Sequence, residues 1–138
     1  MNPRRILLTL VGGLVTLACE PKFEPHGTLT IQGKTFQPTR CHVVPSPAGI
    51  ALRDENGAQL DLAFAPTRVD AFTDYSFTPV ATFNPGQGAP VLPLGVCGTL
   101  KLRGEGYHGS GKRAVSGHVS LACSGGTTLG TLEFTGCF

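Results

Sequence analysis

Between Gly49 and Phe64 the chain is bound to fold back on itself. Ile50 and Leu52 stand at alternate positions, as do Leu60 and Leu62, and Asp54-Glu55-Asn56-Gly57 lies between the two runs. That tetrapeptide suits a type I turn followed by a left-handed glycine, the three-residue hairpin loop. Pairing Asp54 with Ala58 sets Leu52 against Leu60 and Ile50 against Leu62. A tighter Asn56-Gly57 turn would oppose Leu52 to Asp61 and carry a carboxylate onto the core face, so the looser register wins. An apolar pattern of period two that carries its own turn chemistry specifies a strand pair. With 19 Gly, 11 Pro and no long apolar stripe at helical spacing, the whole chain is expected to be all-β. The expected architecture is a small antiparallel β-sandwich or barrel built from hairpins.

The same reading extends to the flanks. Gly27–Val44 reads as a first hairpin with Gln32-Gly33 at its turn, which places Leu29 opposite Phe36. Pro38 puts the returning strand at a sheet edge or bends it, and Pro45-Ser46-Pro47 turns the chain. In Thr67–Phe83 the residues Val69, Ala71, Tyr75, Phe77, Ala81 and Phe83 share one parity, but Pro79 interrupts them. A bent strand or two short ones is expected there. Asn84–Val96 carries three prolines and three glycines and reads as a loop. Its apolar residues Val91, Leu92 and Leu94 either pack back on the core or meet a partner. Gly98–Gly104, Ala114–Cys123 and Thr127–Cys137 read as three strands, with Leu100, Leu102, Val115, Val119, Leu121, Leu132 and Phe134 facing in. Gly-Thr-Leu recurs at 27–29, 98–100 and 130–132.

Met1–Cys19 is of a different kind. Arg4 and Arg5 precede the apolar run Ile6–Ala18, which stops at a cysteine. A helix of that length rises only about 20 Å, against the ~20 residues that span a bilayer. A basic head, an apolar segment and small residues make a secretory signal. With Thr16-Leu17-Ala18-Cys19 as a lipobox, the segment resembles the signal of bacterial lipoproteins. The resemblance implies cleavage after Ala18, lipid on Cys19 and attachment to a membrane, and Glu20 in place of aspartate favours the outer one. Residues 1–18 are then the signal, 19–26 a lipidated tether and 27–138 the β domain.

Loss of the signal removes Arg4 and Arg5 and leaves nine basic against nine acidic side chains. A neutral chain without a basic run has no electrostatic footprint for nucleic acid. Four cysteines remain besides Cys19, and an even count in an exported chain implies two disulfides. A hairpin over 98–123 centred on Ser110 brings Cys97 opposite Cys123 and leaves Cys41 for Cys137. The rival pairing is Cys41–Cys97 with Cys123–Cys137. The intervals between the cysteines are too wide for a zinc knuckle, and no cofactor is implied.

Little in the chain points to a reaction. Gly106–Lys112 matches the phosphate-cradling GxxxxGK, but Arg113 stands where Ser or Thr would hold magnesium, and the context is strand–turn–strand. The segment reads as a hairpin tip, with Tyr107, His108 and Lys112 as possible ligand contacts. Asp70 and Asp74 share a strand face as an acid pair or as solvated charges. The histidines are His26, His42, His108 and His118, without HExxH, and there is no GxSxG. A hydrolase would require His42, His108 or His118 to share a pocket with a serine and a carboxylate. The expected function is non-enzymatic: a lipid-anchored outer-membrane protein that binds a protein partner or supports an envelope assembly. The alternative is an envelope inhibitor, because Val119–Phe134 (VSLACSGGTTLGTLEF) resembles membrane-bound lysozyme inhibitors, which are small disulfide-bearing β lipoproteins. That resemblance covers sixteen residues and carries over no inhibitory side chain.

Overall fold

The computed structural model describes residues 22–45, 48–64, 71–107, 113–123 and 126–138. Among the described residues, eleven strands form two antiparallel sheets. The first contains β1 (Glu24–Ile31), β2 (Lys34–Phe36), β6 (Asp74–Phe77), β9 (Gly98–Tyr107), β10 (Arg113–Cys123) and β11 (Thr128–Cys137), in the order β2-β1-β11-β10-β9-β6. The second contains β3 (Arg40–Pro45), β4 (Ala48–Arg53), β5 (Gln59–Ala63), β7 (Val80–Asn84) and β8 (Leu92–Val96), in the order β3-β4-β5-β7-β8. The expected all-β class is what is found.

The β4–β5 hairpin forms in the register that keeps Asp61 off the core: Leu52 faces Leu60 and Ile50 faces Leu62. The Asp54 N–H donates to Ala58 O at 3.0 Å, and Gly57 has a φ of 90°. Asp54 Oδ1 accepts from the backbone N–H groups of Asn56 and Ala58, each at 2.9 Å. The aspartate thus supplies the acceptor that the loop backbone lacks. Leu29 faces Phe36 across the β1–β2 turn.

Four expectations are corrected. The strand returning from Gln32-Gly33 pairs only as far as Phe36; beyond the buried Pro38 the chain crosses to the other sheet as β3. A proline that cannot donate to the ladder marks the point of departure. Strand pairing starts ahead of Gly27, the expected start of the β domain, because Glu24, Pro25 and His26 already pair with Thr135, Phe134 and Glu133. β2 reaches only Leu29–Ile31, so β1 has a free flank at Pro25, where the missing N–H costs nothing. Asn84–Val96 is not all loop, since Leu92–Val96 forms β8. Pro93 is accommodated because β8 is an edge strand and carries a bulge at Leu94.

The last correction concerns β9 and β10. Arg113 faces Tyr107, as a turn centred on Ser110 demands, but a bulge before Val115 then slips the register by one. Cys97 therefore lies beside Ala122, whose N–H donates to its carbonyl at 2.9 Å, and the bridge to Cys123 runs diagonally. The slip sets Leu100 opposite Val119 and Leu102 opposite Gly117, apolar against apolar. Without it Leu100 would face Ser120, so core burial selects the bulge.

The disulfides are Cys41–Cys137 and Cys97–Cys123, the first of the two pairings considered. They also reveal how the sheets lie. Cys137 ends β11 and is bridged to β3, one edge of the second sheet. Cys123 ends β10 at the opposite end of the first sheet and is bridged to Cys97, which follows β8, the other edge. Crossing the second sheet from edge to edge therefore means travelling along the strands of the first. The strands of the two sheets thus run across one another, and between the sheets lies one core built from Leu29, Phe36, Leu100, Val119, Leu132 and Phe134 on one side and Ile50, Leu52, Leu60, Leu62 and Phe83 on the other.

Large and absent side chains alternate across the first sheet. Gly117 sits between Leu102 and Phe134, and a Cβ there would stand 2.6 Å from Phe134 Cζ and 2.8 Å from Leu102 Cδ2. The Gly-Thr-Leu repeats obey the same rule. The copies at 27–29 and 130–132 pair head to tail, with Gly27 facing Leu132 and Leu29 facing Gly130, while Leu121 faces both Gly98 and Gly130. The repeats are a packing device of one curved sheet.

Candidate functional site

With the odd-numbered side chains of β11's neighbours turned variously inward, the outward face of the first sheet is polar, and its cross-strand rows can be followed residue by residue. One row reads Ser76, Lys101, His118, Glu133, His26 across β6, β9, β10, β11 and β1. The next reads Asp74, Arg103, Ser116, and on the other side lies Thr99, Ser120, Thr131, Thr28. The first two rows line a groove of about 470 Å³, with Thr135 at its rim and the backbone of Gly117 in its floor.

Two side-chain pairs lie in the groove. Arg103 Nη1 donates to both carboxylate oxygens of Asp74 at 3.1 Å. His118 Nδ1 lies 3.3 Å from Glu133 Oε1. Both pairs are open to water, so each contributes little to stability; their effect is to fix the direction in which the groups point. Lys101 stands between the pairs, exposed, with Ser76 and His118 as its cross-strand neighbours. The result is an open surface that alternates in sign and is bordered by hydroxyls.

The groove brings together residues from the sequence that had been considered separately. His118 does share it with Ser76, Ser116 and two carboxylates. Among the described residues neither serine is hydrogen-bonded to His118. Among the described residues the side chain bonded to His118 is Glu133. Ser76 is two strands away, about 10 Å at Cα with Lys101 between, and Ser116 is two residues along its own strand, about 6.7 Å. Among the described residues, no group of three or more His, Cys, Asp or Glu side chains is placed to hold a metal ion.

The other candidates are scattered. Leu92 and Leu94 pack against the core, whereas Val91 is exposed. Tyr107 closes β9, and His108 and Lys112 lie outside the described residues, as do Asp70 and Cys19. Asp74 is paired with Arg103; Asp70, its companion in the expected acid pair, lies outside the described residues. His42 sits on β3 and lines a hollow with Phe23 and Phe138, separate from the groove that holds His118. In Val119–Phe134 the side chains of Val119, Leu121, Cys123, Thr128, Leu132 and Phe134 are buried, so these six serve the core. What sequence reasoning missed was the row His118, Glu133, His26. Its members come from three strands, and only the register of β1, β10 and β11 unites them. Comparison of the chain with protein-family models, known proteins and solved structures returned no match.

Proposed function

We propose that this chain is an exported envelope protein, held to the outer membrane by lipid on Cys19, that acts by binding another protein and catalyses no reaction. The observation that carries the binding role is the groove of the first sheet, where Asp74–Arg103, Lys101, His118 and Glu133 surround a floor that includes Tyr75, Leu102 and Phe134. An apolar floor supplies contact area, and the surrounding charges select the partner by electrostatic complementarity. Export is supported by the two disulfides, which persist in oxidising compartments. They engage Cys41, Cys97, Cys123 and Cys137 and leave Cys19, at the end of the apolar leader, as the remaining cysteine.

The test compares capture from the protein's own membranes by the native chain and by a Lys101→Glu, Ser76→Arg double variant. Both positions are exposed, so the fold is retained. The partner bound by the native chain should be depleted about tenfold in the variant, the effect of ~1.4 kcal/mol. Equal capture by both overturns the assignment of the groove. Mass spectrometry of Cys19 in the same preparation checks the anchor, and an unmodified thiol there overturns it.

A further inference from the structure

Phe72 has the most exposed large apolar side chain among the described residues, at 68%. Its φ is 57°, in the left-handed region that a bulky residue enters only under constraint. The constraint is visible. The Phe72 N–H donates to Gly104 O at 2.5 Å, the Gly104 N–H donates to Thr73 O at 3.4 Å, and the Thr73 hydroxyl donates to Ala71 O at 3.2 Å. The ring lies over Gly106, where a Cβ would stand 3.3 Å from Phe72 Cζ. An aromatic ring is thus held outward at the β6 edge by a strained backbone, away from the core.

Its place in the sheet indicates what it meets. Gly104 faces Val115 and Val115 faces Cys137, while Lys22 lies against Gly136, so close that a Cβ there would strike the Lys22 carbonyl. Phe72 and Lys22 therefore stand in one transverse row, at opposite sides of the first sheet. Four strand spacings separate them, about 19 Å. Lys22 follows Cys19 by three residues, which span at most about 11 Å. On the reading of Cys19 as a lipid anchor, the bilayer lies within that reach of one end of the row.

We infer that Phe72 is a second membrane contact, seating its ring at the headgroup level of the same bilayer that holds Cys19. Phenylalanine, like tryptophan and leucine on interfacial segments, gains by burial at the boundary of headgroups and acyl chains, and a lipid chain supplemented by a second contact attaches more durably than either alone. Two points across the width of the first sheet fix the tilt of the domain, which a single flexible attachment leaves free. The inference rests on the lipid-anchor reading.

The chain has no tryptophan, so Phe72→Trp introduces a lone indole at an exposed position. The lipidated full chain is reconstituted into phosphatidylethanolamine/phosphatidylglycerol vesicles. Emission of the Phe72→Trp protein should shift to the blue and lose at least about half its intensity to lipids brominated on their acyl chains, as for an indole at the interface. Val96→Trp is the control, because Val96 is 64% exposed and adjoins Cys97 at the opposite end of the sheet; its emission should not respond. Vesicle flotation of the same samples reads the anchor separately. Protein that floats while the Phe72→Trp indole is unquenched overturns the second contact alone, and so does equal quenching at both positions. Protein that stays in the dense fraction overturns the anchor and the second contact with it.

Discussion

Phe72 and Gly117 depart from ordinary strand chemistry in opposite directions. Phe72 is a bulky residue in a conformation suited to glycine, and its ring is in solvent. Gly117 is a glycine in the core-facing row, where Phe134, Leu102 and the Lys101 carbonyl fill the space of a side chain. Substitution should therefore move stability both ways. Phe72→Gly relieves the left-handed strain at small packing loss and should stabilise by about 1 kcal/mol. Gly117→Ala overpacks the sheet and should destabilise by about 1–3 kcal/mol. Urea unfolding midpoints on either side of the native value would bear this out, and a loss of stability in Phe72→Gly would refute the account of strain.

At the scale of elements, a strand pair was legible wherever its turn chemistry was local. The β4–β5 hairpin follows from Asp54, Gly57 and four alternating apolar residues, and the observed register needs nothing more. Asp54→Ala removes the acceptor for two loop N–H groups and should cost about 1–2 kcal/mol, read as a lower thermal midpoint with the fold intact. β8 was hidden because three prolines and three glycines in Asn84–Val96 masked a five-residue strand that only an edge position tolerates. The one-residue slip in β9–β10 was hidden for another reason. A bulge is chosen by what the two faces bury, and burial is decided by the strands beyond the pair. The groove was the least legible feature, since Ser76, Lys101, His118, Glu133 and His26 are neighbours only after five strands have assembled.

Taken whole, the molecule is two crossed sheets joined covalently at opposite ends. The Cys41–Cys137 bridge closes a separation of 96 residues and Cys97–Cys123 one of 26. On the chain-entropy account the longer closure contributes about 1 kcal/mol more. The Cys41→Ser, Cys137→Ser double variant should therefore lose more stability than Cys97→Ser with Cys123→Ser, as measured by chemical unfolding under non-reducing conditions; the reverse order would show that native contacts outweigh loop length here. The pairing also bears on mechanical load. Tension transmitted through the chain ahead of Lys22 enters along β1, whose ladder to β11 comprises seven residue pairs from Glu24 to Thr30. Antiparallel hydrogen bonds lie across the strands, so a pull along β1 shears all seven together instead of unzipping them singly. The far side of that ladder is riveted to the second sheet through Cys137, and a tug strong enough to drag the domain is spread over both layers before any strand can slide.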